Sequence, residues 1–242
     1  MLQLEVLEVQ KELSSYIGKT LRDCFGRGPE TVYVSIRKPF ITVYIRNFIS
    51  PMENVLLESQ QENIIHNTRD ILMQSIIPEL KAYMTVLTKM EIDEFYYDWG
   101  LHNYSGMFIA ISKDKSTLDA LSNEGFTGKE SLHEEINNIG QQTQKIPEEV
   151  LSVKINERTY AILRTGILIT IEREFIRLGY RDMLRVAKRS VEKRQLHNNL
   201  RFESILDSKI DDVFVSWDFD RDKSIILFIV NPNQSGGNVL DK

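Results

Sequence analysis

Four places in this 242-residue chain hold residue types that could do chemistry. The first is the turn Gly26-Arg27-Gly28-Pro29, whose glycines would end a preceding helix in a left-handed turn and present Arg27 at the helix end. Such an arginine would meet an anion or a partner's carboxylate. It is not a dinucleotide fingerprint, which needs strand, glycines and then helix, and no Gly-Lys-Ser/Thr supplies a phosphate loop. The second is Glu53, a residue type suited to acid–base work. Ser50-Pro51-Met52-Glu53 accounts for it structurally as a capping box: an N-cap Ser, Pro at the first helical position and Glu three residues on.

The third is Asp218, Asp220 and Asp222, spaced like the opening of a calcium loop. The glycine position falls on Lys223 and the closing glutamate position on Ile229, inside an apolar run, so these aspartates read as turn residues. The fourth is electrostatic. Residues Glu172 to Arg194 carry eight cations, including Arg173, Arg177, Arg181, Arg185 and Arg189, against four carboxylates, a net +4 in a chain whose total is −5. Cations four apart advance about 40° per step, so the row winds round a helix and could meet nucleic acid, anionic lipid or an acidic partner. Nucleic acid is disfavoured, because the chain is acidic overall. The stretch Glu53 to Ser75 carries Glu53, Glu58, Glu62 and Asp70 with only Arg69, so internal pairing of opposite helices is the expected use of the row. Histidines 66, 102, 133 and 197 lack ligand spacing, the single Cys24 excludes an intrachain disulfide, and no Gly-x-Ser-x-Gly elbow exists. No catalytic constellation, metal site or cofactor is expected.

The elements that must position these residues come twice. The only two tryptophans, Trp99 and Trp217, each follow a β-branched and aromatic segment and precede a polar turn and an apolar run; Pro29-Glu30 and Pro147-Glu148 share their spacing. The reading is two tandem copies, 1–114 and 127–231, with a polar linker over 115–126 and a flexible tail over 232–242. Each copy predicts the order α-β-β-α-β-β. Leu4, Leu7, Leu13, Ile17 and Leu21 form the apolar stripe of the first helix. Hairpins turn at Lys38-Pro39 and Asn156-Glu157. A long helix from Pro51 to about Lys89 is expected to bury Ile64, Ile65, Ile71, Leu72, Ile76, Leu80, Met84 and Leu87, and Pro78 to kink or split it. In the second copy Thr127-Gly128-Lys129-Glu130 has the form of a capping box, and a long helix is expected from about Thr170 to Asp207.

Four short-turned strands per copy imply antiparallel sheets with helices covering one face, an α+β fold, and two copies suggest a pseudo-twofold arrangement. At 42% hydrophobic the chain has the material for two cores, and its longest apolar run, Ile225 to Val230, is far short of the ~20 residues a membrane span needs. A cytoplasmic protein is expected.

The first copy resembles the small bacterial MpsC-like family, named for a Na+-translocating, membrane-potential-generating system and otherwise a domain of unknown function. The resemblance rests on Gly26-Arg27-Gly28-Pro29, then a hairpin, Ile49-Ser50-Pro51-Met52-Glu53, Thr68-Arg69-Asp70-Ile71-Leu72, and Asp98 ahead of the final strand. It covers nearly all of copy one. Copy two has Gln144-Lys145-Ile146-Pro147 in place of the glycine turn, and Arg173 falls at the cap glutamate's position if Thr170 is the cap. The resemblance implies a non-enzymatic accessory protein near a membrane cation or inorganic-carbon transport system, with a membrane transport protein as partner and self-association as a further expectation. It singles out Arg27 and Arg69, then Glu53 and Asp98. The alternative is a sensor of a small anion or nucleotide, at the glycine turn or in a cleft between copies.

Overall fold

The computed structural model describes residues 2–232, and the chain divides into two compact units, Met1–Leu118 and Asp119–Lys242. The tail expected over 232–242 lies outside the described residues from 233 onward.

The first unit runs α1 (Leu2–Phe25), β1 (Thr31–Arg37), β2 (Phe40–Arg46), α2 (Pro51–Glu58), α3 (Glu62–Thr88), β3 (Ile92–Gly100) and β4 (Ser105–Ser112). The strands form one antiparallel sheet in the order β1-β2-β4-β3. Its core joins Leu13, Ile17 and Leu21 of α1 and Ile65, Ile76, Leu80 and Met84 of α3 to one sheet face carrying Ile41, Val43, Trp99 and Phe108. Leu13, Ile17 and Leu21 step four residues at a time and so keep to one stripe of the helix. Leu4 and Leu7, expected on it, are 68% and 56% exposed. Leu4 lies nine residues before Leu13, about half a turn out of phase, so it faces away from the core. Ile64 and Ile71 are exposed for the same reason, each turned by more than about 90° from Ile65.

Pro78 does not split the long helix: α3 runs unbroken through it from Glu62 to Thr88. The break comes earlier, where Gln60 takes a left-handed φ of 58° and its neighbour Gln61 donates its N–H back to the Leu56 carbonyl at 2.8 Å. That pairing closes α2 as a Schellman motif.

The second unit repeats the design. α5 (Lys129–Thr143) is followed by β5 (Glu149–Asn156), β6 (Thr159–Thr165), the helices α6 (Thr170–Arg177) and α7 (Arg181–Lys188), a π-helical turn (Arg189–Lys193), α8 (Arg194–His197), α9 (Arg201–Leu206), β7 (Lys209–Asp218) and β8 (Lys223–Asn231). α4 (Lys115–Ser122) occupies the segment expected as linker. The sheet order, β5-β6-β8-β7, matches that of the first unit, and so does the register. Trp99 pairs with Gly106, Trp217 with Ser224, and the facing positions on the second strand of each unit are Ile45 and Arg164.

The single helix expected from Thr170 to Asp207 is therefore four helices and a π turn. Its first break, at Gly179 with φ 86°, repeats the Schellman closure, with the Tyr180 N–H donating to the Phe175 carbonyl at 2.9 Å. The capping box expected at Thr127 does not form. The N-cap of α5 is Gly128, at φ 84°, with no side-chain cap. A Cβ there would lie 2.1 Å from the Ile205 carbonyl oxygen, so contact with the α9 backbone, and not a hydroxyl, fixes this helix start.

Gly128→Ala is expected to cost the second unit about 2–3 kcal/mol, from left-handed strain and the backbone clash together. The check is urea denaturation of the full chain followed by the fluorescence of Trp217: its transition should move to lower denaturant while that of Trp99 stays in place.

Candidate functional site

The structure brings two of the expected site residues together and separates the others. At the start of α2 the Ser50 N–H donates to Glu53 Oε2 at 2.8 Å, and Ser50 Oγ accepts from the Glu53 N–H at 3.3 Å, so the capping box is complete. The same carboxylate accepts from Arg69 of α3, Nε to Oε1 at 2.7 Å and Nη2 to Oε2 at 3.0 Å. Arg69 is fully buried. Its Nη2 also donates to the Phe48 carbonyl at 2.9 Å, and its guanidinium lies 4.6 Å from the Trp99 ring centre, 4.9 Å from Phe48 and 6.0 Å from Phe25. Those three rings pack on one another at centroid distances of 5.2 to 6.0 Å.

The aromatic box has a backbone cause. A Cβ on Gly106 would sit 2.5 Å from Trp99, so only glycine lets the indole lie against β4. Burial works to raise the pKa of Glu53, but hydrogen bonds and charge from Arg69, with the Ser50 amide, outweigh it and hold the carboxyl below its ordinary value. Both charges are thus balanced inside the structure. The chemistry this suits is holding α2, α3 and the β2–α2 loop in register.

Gly26 takes φ 73° just beyond α1, as the helix-end reading requires. Arg27 after it is exposed. Asp98 is buried on β3, but the strand pleat turns it to the sheet face opposite Trp99 and so away from Arg69. Asp218 and Asp222 close turns: Asp218 accepts from the Asp220 and Arg221 amides, and Asp222 from those of Ile167 and Leu168.

The second unit corrects the expected cap register. The N-cap of α6 is Ile169 and Glu172 stands at N3, accepting from the Ile169 N–H at 3.0 Å; Arg173 is one position beyond. Ile169 has no side-chain oxygen, so only half of a capping box exists. Sixteen residues after Glu172, the separation between Glu53 and Arg69, the buried Lys188 donates to Glu172 Oε1 at 3.0 Å. Around this cation carboxylates and amides replace the rings. Gln144 accepts from Lys188 and donates to Glu192 Oε1 at 3.1 Å, and Lys188 lies 3.1 Å from the same Glu192 oxygen. Arg164, also fully buried, donates through Nη2 to Glu192 Oε2 at 2.6 Å and through Nε to Ser224 Oγ at 2.8 Å. Trp217 Nε1 donates to Glu192 Oε1 at 3.1 Å. Burial alone would raise the pKa of Glu192, but Arg164 and Lys188 bring it below its ordinary value.

The basic row does not stand open. Arg173 pairs with Asp222 at 2.6 Å, Arg177 with Glu174 at 2.5 Å, Arg181 with Asp220, and Arg185 with Asp182 at 3.5 Å, all inside the second unit. The acidic partners expected from the first copy are supplied instead by the β7–β8 turn and by the row's own helices.

One pair had no signal in the chain order. His133 Nε2 lies 2.7 Å from Ser152 Oγ, and burial, then Lys129, keeps the imidazole pKa below its ordinary value. Ser152 has no exposed surface, so the pair cannot meet a substrate. An open groove of about 330 Å³ is lined by Glu134, Glu135, Asn138 and Arg201 among others, but Glu135 is taken up by Asn199 at 2.6 Å and Arg201 at 2.8 Å. Among the described residues no cluster of His, Cys, Asp and Glu is arranged to hold a metal ion, and no helix is long and apolar enough to cross a membrane.

Arg69→Met should destabilise the first unit by about 3–5 kcal/mol, because it leaves a buried carboxylate uncompensated. A group with a lowered folded-state pKa stabilises above its unfolded value, and that contribution is lost as pH falls through the folded one. Stability of the first unit should therefore drop in acid below pH ~4, and Glu53→Gln should flatten that drop in denaturation curves measured across pH.

The sequence model of the family described as "Na+-translocating membrane potential-generating system (MpsC)" matches residues 6–114. No curated protein and no solved structure matches the chain. The matched span holds the glycine turn, the capping box, Arg69 and the tryptophan hairpin and ends within the first unit, so the likeness to the MpsC family is that unit's and covers less than half of the chain.

Proposed function

We propose that the chain is a non-enzymatic accessory protein of a membrane cation-translocating system, working on the cytoplasmic side by docking a protein partner, and that its second unit is a diverged copy of the first. The observation that carries this reading is the fate of the charged candidates. Glu53 and Arg69 neutralise each other inside the fold, whereas Arg27 is exposed and has no ion pair among the described residues. The family's description supplies the membrane system. Among the described residues no helix is long and apolar enough to span a membrane, and in this reading attachment to that system goes through a partner.

A small-anion sensor at the glycine turn is the weaker reading. Arg27 follows the C-terminus of α1, which offers carbonyls and not the free N–H groups that cradle a small anion. A partner's carboxylate, held by a wider contact, needs no such cradle.

Arg27→Glu should leave the unfolding midpoint of the chain unchanged and abolish its co-sedimentation with membranes of its own host. Unchanged co-sedimentation would overturn the reading. A thermal shift with phosphate, bicarbonate or nucleotide would replace it with the sensor, since a ligand at a hundred times its Kd stabilises by about 2.7 kcal/mol.

A further inference from the structure

The helices that carry the two buried cations also expose apolar side chains. On α2 and α3, Met52 is 67% exposed, Val55 61% and Ile64 47%. On α6 and α7, Ile171 is 58% exposed, Phe175 39% and Met183 64%. Met52 and Ile171 each stand one residue before the third helical position, and Ile64 and Met183 each sit in the first turn after the Schellman break. Corresponding places on the two units therefore leave the same kind of side chain in water. A cluster of this kind, rimmed by polar residues, marks an interaction surface.

The rims are opposite in sign. Glu58 and Glu62 border the first cluster, both exposed and without an ion pair among the described residues. Arg173, Arg177 and Arg181 border the second. Arg173 is held by the part-buried Asp222, but the partners of Arg177 and Arg181 are exposed carboxylates, and exposed pairs of this sort are worth only about 0–1 kcal/mol and exchange readily. A face with a matching apolar cluster and two unmatched carboxylates is present on every copy of the chain.

We propose that the α6–α7 face of one copy docks on the α2–α3 face of a second copy, head to tail. The apolar clusters cover each other, and Glu58 and Glu62 meet the arginines. Such a contact joins two different surfaces, so it closes into a ring or dimer, or propagates as a chain. It is independent of the membrane partner: either can fail without the other.

The test uses sedimentation velocity of the full chain over a concentration series at low and high salt. Association that strengthens with concentration and weakens with salt is expected. Met52→Asp and Met183→Asp change exposed side chains only, and each should weaken self-association at least about tenfold. Mixing the two variants should restore a one-to-one complex, because each retains the face the other has lost. A monomer at every concentration, association untouched by either variant, or a mixture that stays monomeric would each overturn the proposal. So would a chain that remains monomeric while binding vesicles of anionic lipid through Met183.

Discussion

A guanidinium with no exposed surface is the constraint on which the first unit depends. An isolated charge cannot be carried into a protein interior without several kcal/mol of cost, so Arg69 fixes what must surround it. Glu53 supplies the counter-charge, but only because the Ser50 cap holds it at the third position of α2, and the helix start is thereby tied to α3. The Phe48 carbonyl takes a further proton donor, which ties in the loop leaving β2. The faces of Trp99, Phe48 and Phe25 cover the rest. Trp99 in turn can lie flat only over a residue without a side chain, so Gly106 belongs to the same unit of logic although it touches no charge.

The second unit keeps the scaffold and changes the lining. Glutamate at N3 and a cation sixteen residues on recur as Glu172 and Lys188, so the geometry that joins the two helices is retained. The lining goes the other way at three sites. Ser224 stands in the register place of Gly106, Arg164 in that of Ile45, and the aromatic box gives way to Gln144 and Glu192. Each change would be costly alone. Together they balance, two buried cations against two buried carboxylates, with the hydroxyl, the indole N–H and the amide as hydrogen-bonding partners. The π-helical turn Arg189–Lys193 contains Glu192, and a local widening of this kind is a recurrent accommodation for an inward functional group. The sheet, whose register depends on backbone pairing and apolar alternation, is unaffected by the exchange.

Much of this was legible because some signals are local. Ser50-Pro51-Met52-Glu53 announces its cap, the hairpins announce themselves by β-branched runs around short turns, and the paired tryptophans announce the repeat. Features that depend on distant residues were hidden. Glu53 reads as fully explained by its cap, and nothing nearby shows that Arg69 shares its carboxylate. Thr127 offered a hydroxyl in the right place, yet the approach of α9 to Gly128, far along the chain, set the helix start. Gln60 gave no warning of a helix break, whereas its counterpart Gly179 is the residue such a break favours; Pro78, the louder signal, sits inside an unbroken helix because packing of the surrounding turns outweighs one lost hydrogen bond. The arginine row reads as the partner of the acidic stretch Glu53 to Ser75, because two of the aspartates that neutralise it lie far along the chain on the β7–β8 turn.

The distribution of charge bears on function through what the fold leaves over. A buried pair cannot recognise anything, and a residue held by its own unit's carboxylates recognises a partner only after exchanging them. Arg27 stands in neither position. It is carried on a helix end fixed by Gly26 and followed by the residue pair Gly28-Pro29, so its backbone is ordered by the fold while its side chain is not consumed by it. Phe25, two residues earlier, packs against Arg69 and Trp99. The exposed arginine is thus mounted directly on the buried one's aromatic box, and its placement in space is set by the same interaction that holds the helices and the sheet together.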